Sequence, residues 1–407
     1  MARLWSCGFE LQSVTSLMEW DSTTGSPTIA TAIKRSGAAS LRVNPTSAMH
    51  YVQHRFSTTT SYIPFMVRFY IYITTAPTAT TAIMMLVSNG SYEELSIRLT
   101  NSRTLMLYDE WTGAQRGSTS SALNTGQWYR IEVRYDYGNL CAQAYIDGVL
   151  FASSDQFQGY ANDPPNYVQL GVIDATSADI YFDDVAINDN TGSYQNLLPG
   201  PGSIVHMYPD SAGDINECLS GDYTSIGEKP TPDDATSYAV FDTVNDDLLV
   251  NCESSTTAGI PSSAFINVVQ VGCRTRGSTS SSFTFVPKIE SQASGTLLSG
   301  TSFSQTSTTW YSNGYSVPRI YKLTSYVDPQ AGGSWTPTLL DSAQIGGTST
   351  AITDNVWLTS MWMLVEYTEN AYINGYETAT ITESKTLFFP KLVIGVPSIK
   401  YGVRITY

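Results

Sequence analysis

Between Trp128 and Tyr135 the chain alternates strictly: Tyr129, Ile131, Val133 and Tyr135 fall on one side, and Arg130, Glu132 and Arg134 on the other. A period of two suits a half-buried pleated strand and no α-helix. The next apolar stretch, residues 140–151, is interrupted by Asp147-Gly148, a pair that readily adopts the positive φ of a tight hairpin. Asn89-Gly90 plays the same part between residues 83–87 and 95–99. Further strands are expected at 40–43, 49–56, 65–73, 167–172 and 180–187. No segment combines a 3.6-residue period with helix caps, so no helix is expected. About a dozen short strands before residue 190 is the density of a sandwich or jelly roll.

Composition agrees. Charged residues make up 14% of the chain, while it holds 30 Gly and 26 Tyr. Turns favour Gly, and half-buried pleats favour Tyr, Thr and Val. The charge balance is 21 Lys+Arg against 36 Asp+Glu, a net of -15. A nucleic-acid partner needs a basic surface to displace counterions, and an anionic membrane needs one too. Neither partner is expected. The five cysteines, Cys7, Cys141, Cys218, Cys252 and Cys273, are scattered and odd in number, without a C-x-x-C pair. They read as free thiols of a protein made in a reducing cytoplasm rather than as a disulfide or zinc framework. The opening residues are too polar for a signal-peptide core, and no run approaches the length of a membrane span.

The alternating Pro and Gly of Leu197-Leu198-Pro199-Gly200-Pro201-Gly202 cannot sustain a ladder. The expected layout is therefore an all-β chain of two β-sandwich or jelly-roll domains with a C-terminal strand-rich arm. Residues 1–190 form the first sandwich, 191–203 a linker and 204–367 the second sandwich. Residues 368–407 follow as a hairpin and a basic, apolar arm. In the second region strands are expected at 204–208, 238–241, 265–271, 283–289, 321–326 and 356–365. Residues 384–407 carry Lys385, Lys391, Lys400 and Arg404 and no acid. They supply either closing strands of the second domain or an arm that pairs with a neighbouring subunit. Tyr145-Ile146-Asp147-Gly148 and Tyr372-Ile373-Asn374-Gly375 echo each other, which shared turn chemistry explains.

Chemistry is hard to find. Glycoside hydrolysis needs two carboxylates facing one sugar. Glu93-Glu94 and Asp183-Asp184 are adjacent, so a regular strand sends each pair to opposite faces, and Asp109 to Gly113 reads as a turn. His50 and His54 have metal-binding spacing only on a helix, and their surroundings read as a strand. No nucleophile elbow, P-loop or dinucleotide fingerprint occurs. Asp183, Asp184 and Asp189, with the pairs Asp233-Asp234 and Asp246-Asp247, leave calcium open as a cofactor. Trp111 and Tyr160 are the loop aromatics suited to a sugar platform, whereas Trp20, Trp128, Trp357 and Trp362 read as core. No catalytic, cofactor-binding or metal-ligating residue is assigned, and the chain is not expected to be an enzyme.

Several strings nevertheless form a pattern. Trp5-Ser6-Cys7-Gly8-Phe9-Glu10, then residues 34–43, Gly126-Gln127-Trp128-Tyr129, Asp147-Gly148 and Ile180 to Asp189 resemble the concanavalin A-like (LamG-like) jelly-roll domains of tailed-phage virion proteins. Gly221-Asp222-Tyr223-Thr224-Ser225-Ile226, Asp328-Pro329, Ser334-Trp335-Thr336 and Ala343-Gln344-Ile345-Gly346 resemble the region that follows in such proteins. The resemblance runs to about residue 365. It implies a structural component of a phage particle, made in the host cytoplasm and located in the virion. Its partners would be major capsid or tail proteins and copies of itself. With no coiled-coil heptads or fibre repeats in the sequence, the expected role is a capsid decoration protein, with a tail or fibre protein that binds host carbohydrate as the alternative and a glycoside hydrolase behind both.

Overall fold

The computed structural model describes residues 2–369 except 58–62, 89–91, 159–162, 235 and 354. The Asn89-Gly90 turn, Tyr160, Tyr372 to Gly375 and the segment 384–407 lie outside the described residues. Among the described residues the fold is nearly all β, in four sheets.

The first sheet runs Val149–Ser154, Cys141–Ile146, Trp128–Asp136, Pro64–Thr75, Asp179–Asp189, Ser40–Val43, Thr28–Ala30, with Arg3–Cys7 also paired to Asp179–Asp189. The second runs Ala114–Arg116, Leu105–Asp109, Glu93–Leu99, Thr81–Ser88, Pro165–Thr176, Ala48–Arg55, Ser22–Thr24. Their inner faces meet in one core that includes Leu41, Phe69, Ile131 and Val133 from the first and Leu86, Ile97, Leu107 and Leu170 from the second. The expected hairpin forms: Asp147 and Gly148 have φ of 51° and 85° between paired strands.

The third and fourth sheets come from later residues. Val356–Thr368 is the hub of the third, flanked by Ser203–Met207 and Phe265–Gly277. The fourth runs Pro209–Asn216, Asp247–Cys252, Gln344–Ile352, Phe283–Glu290, Leu297–Ser299. Two short helices among the described residues, Tyr223–Ile226 and Pro337–Asp341, correct the expectation of none. Each is about one turn long, capped by Asp222 or Thr336, and too brief to show a period.

The two sandwiches share hydrophobic core. Ile204, Tyr208, Tyr321, Trp362 and Leu364 of the later half belong to the same buried cluster as Trp5, Phe9 and Trp20. At its margin the Glu366 carboxylate sits between the guanidinium groups of Arg3 and Arg68, all three side chains shut off from solvent. Arg3 Nε also donates to Asn188 Oδ1 at 2.6 Å, and Arg68 Nε to the Asp184 carbonyl at 3.1 Å. Burial pushes the Glu366 carboxyl up, but Arg3 and Arg68 outweigh it and hold it below its ordinary value. Gly202 completes the joint, because a Cβ there would run into Glu366 Oε1 and Arg68 Nη1. Replacing Glu366 by Ala strands two buried cations and should cost about 3–5 kcal/mol of stability. Chemical denaturation measures it, and a loss below about 1 kcal/mol would show the triad to be dispensable.

Two imidazoles lie in this shared core. His54 stacks on Trp5 at 4.1 Å between centroids, and His206 on Trp362 at 5.6 Å. Burial pushes His54 down to about 4 and His206 down to about 3. Glu19, whose Oε1 is 3.8 Å from His206 Nε2, is pushed by burial up to about 7. An unfolded chain protonates both imidazoles near 6.5, so their contribution is complete above that pH and is lost as pH falls toward 4 and 3. Glu19 acts in the opposite sense, complete below 4.5 and lost as pH rises through about 7. Melting temperature followed against pH should therefore fall less steeply between 6.5 and 4 in His54→Phe than in the parent chain. Parallel curves would exclude His54 as a source of acid sensitivity.

Candidate functional site

In the strand Thr81–Ser88, Leu86 enters the main core while Met85 and Val87 belong to a separate cluster with Ala82 and Ile173. Alternation along the strand places that cluster on the outer face of the second sheet. Tyr51 and Tyr167 pack against it. Residues paired across strands share a face, so register gives the rest of this surface. Met85 pairs with Ser96 and Gln169, Ser96 with Tyr108, and Gln169 with Gln53.

The strand Glu93–Leu99 carries a bulge here. Val87 pairs with Glu93 and Leu86 with Leu95, which leaves Glu94 as the extra residue. Glu94 is buried, and Glu93 is exposed on the outer face. The two acids part as expected, although at a bulge rather than along a regular strand. What parity missed is that Glu93 is joined by acids from elsewhere in the sequence. Arg98 Nε and Nη2 donate to Glu110 Oε1 and Oε2 at 2.8 and 2.6 Å, and Arg98 Nη1 lies 3.5 Å from Asp174 Oδ2. The Ser96 hydroxyl also donates to Glu110. Arg98 lies 4.4 Å from the centroid of the Tyr108 ring, whose hydroxyl donates to the Gly113 carbonyl at 2.6 Å. Partial burial raises the Glu93 carboxyl, Glu110 and Asp174 raise it further, and Arg98 opposes them.

Aromatics edge this surface. Tyr92 and Trp111, each next in sequence to one of these glutamates, meet edge to face at 6.0 Å between centroids. Trp111 is 48% exposed and Tyr92 37%. Further along the face Gln169 Nε2 donates to Gln53 Oε1 at 2.8 Å, and Arg55 lies 5.4 Å from the Tyr167 ring centroid. Ring faces for apolar C–H groups beside fixed amides, carboxylates and a guanidinium are the components of a sugar-binding surface. An exposed carboxyl held above its ordinary value, next to one locked to an arginine, is also the asymmetry that acid–base chemistry on glycosides employs.

The other residues considered from sequence are structural. Trp20 and Trp362 are core, but Trp128 and Trp357 are half-buried, against Tyr72 at 5.4 Å and Tyr238 at 4.3 Å. These two were expected in the core and instead lie near the surface, each covered by a tyrosine. His54 is buried against Trp5, and His50 shares its strand. Asp183 and Asp184 depart from simple alternation. Asp184 has φ of 48° at a bulge, so both carboxylates reach the 35–36 loop. Asp183 Oδ2 accepts from Arg35 N at 2.8 Å, while Asp184 Oδ1 accepts from the Ser36 hydroxyl and from Ile204 N, each at 2.6 Å. Asp189 Oδ1 accepts from Thr191 N, Asp233 Oδ1 from Thr236 N and Asp246 Oδ2 from Thr243 N. Among the described residues no three His, Cys, Asp or Glu side chains converge as a metal site.

Changing Arg98 to Ala removes the cation that opposes these acids and should raise the Glu93 carboxyl further. Carboxylate titration by NMR reads the shift, and an unmoved Glu93 would show that these groups do not interact.

Comparison with known proteins fits this architecture. No curated protein matches the chain. Solved structures that match include a cellulose-induced protein, Cip1, at 18% identity and a TM-score of 0.34, covering 45% of this chain and 95% of that one. An endo-β-1,4-glucuronan lyase from the fungus Trichoderma reesei matches at 13% identity and a TM-score of 0.35, covering 42% and 92%. Trypanosoma rangeli sialidase matches at 12% identity and a TM-score of 0.33, covering 46% of this chain and 30% of the sialidase. The expectation that the chain is not an enzyme is corrected here, since a lyase and a sialidase are among the proteins that match it. At these identities the likeness is one of fold and assigns no reaction. Residues 46–197 match the family described as the concanavalin A-like lectin/glucanases superfamily, and this part of the chain is a domain of that type.

Proposed function

We propose that this chain is a structural component of the surface of a tailed-phage particle, specifically a capsid decoration protein. The observation that carries the reading is the joint between the sandwiches. Arg3, Arg68 and Glu366 lock two sheets across a dry contact, so the pair behaves as one stiff body. A protein that occupies a fixed position on a particle benefits from such a body, and the resemblance in both halves of the sequence points the same way. Its partners are other virion proteins and further copies of itself. The basic segment 384–407 is proposed as the attachment, complementary to acidic protein surfaces. Mass spectrometry of purified particles should find the chain in many copies, and imaging should place it on the head. Removal of 384–407 should leave a folded protein that no longer joins particles. Absence of the full chain from particles would end this reading.

A second reading has its own support. The Tyr92–Trp111 pair beside Arg98 and Glu110 suits a tail or fibre protein that binds host-surface carbohydrate. A glycan array should then return hits that Trp111→Ala weakens about five- to 150-fold, since truncating a stacking aromatic costs about 1–3 kcal/mol. A blank array would remove the carbohydrate reading. Release of reducing ends from a bound glycan would turn it into an enzymatic one.

A further inference from the structure

The outer face of the second sheet carries an uneven charge. Glu110 N donates to the carbonyl of Glu94, next to Glu93, at 3.1 Å, and Arg98 reaches both Glu110 and Asp174, so the three acids gather around one cation. That guanidinium is already engaged, by both oxygens of Glu110 and by Asp174. Its geometry is the forked pairing with which arginine receives a carboxylate, so an incoming carboxylate would have to displace one of the protein's own. Glu93 has no ion pair among the described residues and is exposed. Tyr92 and Trp111, which would hold a sugar ring, adjoin Glu93 and Glu110 in sequence and present exposed rings at the same strand ends. A ring stacked there would bring any carboxylate it carries up against like charges.

We propose that this face selects sugars that lack a carboxylate, rejecting uronate- and sialate-bearing glycans, because its own acids already fill the guanidinium of Arg98. The inference rests on the carbohydrate reading and specifies its ligand class. Specificity of this kind comes from repulsion as much as from attraction. Neutral sugars keep the hydrogen bonds and the stacking without meeting the acids as like charges. Repulsion between partly exposed charges is screened by salt, so the discrimination should narrow as ionic strength rises.

The test uses the full chain and matched probes: lactose against sialyllactose, and cellotriose against a glucuronate trimer. Binding is read by titration at low and high salt. The expected result is at least tenfold weaker binding of the carboxylated member of each pair. Glu93→Gln, which keeps the shape and removes the charge, should narrow that ratio several-fold. Equal or tighter binding of the carboxylated sugars would overturn the charge argument while leaving the carbohydrate reading in place. A ratio that Glu93→Gln leaves untouched would overturn it in the same way. If none of the four probes nor any array glycan binds, the carbohydrate reading itself fails and the inference goes with it.

Discussion

A single carboxylate between two guanidinium groups holds this molecule in its present form. Glu366 belongs to the hub strand of the third sheet, and Arg3 and Arg68 to the first. Desolvating three charges costs several kcal/mol per ion, and their attraction is worth having only when the geometry is met. The triad therefore acts more as a register pin than as a source of net stability. If one sandwich slid against the other, unpaired charge would be left in a dry contact. The surrounding apolar groups, Trp5, Trp20, Tyr208 and Trp362 among them, supply the burial that offsets the cost. The sheets that carry these residues are thereby fixed, and so is the surface turned away from the joint.

Local chemistry made much of the fold legible. The alternation of Trp128 to Tyr135 and the Asp147-Gly148 turn are decided within a few residues, and both elements form where they are expected. The one-turn helices escaped because a single turn with one cap has no period to detect. The joint escaped for a different reason. Arg3, Arg68 and Glu366 are separated by up to 363 positions, and nothing in the neighbourhood of each marks a charge that will be buried. The linker composition of residues 197–202 is real, yet Gly200 N donates to Glu132 Oε1 at 2.7 Å and Gly202 touches the triad, so the segment is bound along the body it connects.

The same distinction applies to the candidate site. Trp111 was legible as an exposed loop aromatic, and Glu93 and Glu94 separate as expected, although across a bulge rather than along a regular strand. The convergence of Glu93 with Glu110 and Asp174 was not, because it depends on the order of strands in the sheet. Glu93–Leu99 lies between Leu105–Asp109 and Thr81–Ser88, with Pro165–Thr176 one place beyond. A sequence pattern records which face a residue takes and says little about which strands lie alongside. The Asp183-Asp184 pair adds that parity itself fails at a bulge, where one left-handed residue turns both acids toward the same loop.

The alternation along Glu93–Leu99 has a consequence for how such a protein changes over time. Leu95, Ile97 and Leu99 belong to the interior, while Ser96, covered by its neighbours, and the half-buried Arg98 lie on the opposite face. Two vocabularies are thus interleaved on one strand and can drift independently. The outer letters can be rewritten to meet a new surface in a few substitutions while the inner ones go on specifying the same sandwich. A lineage under pressure to alter what it touches, but not how it is built, would find that freedom already present in the pleat.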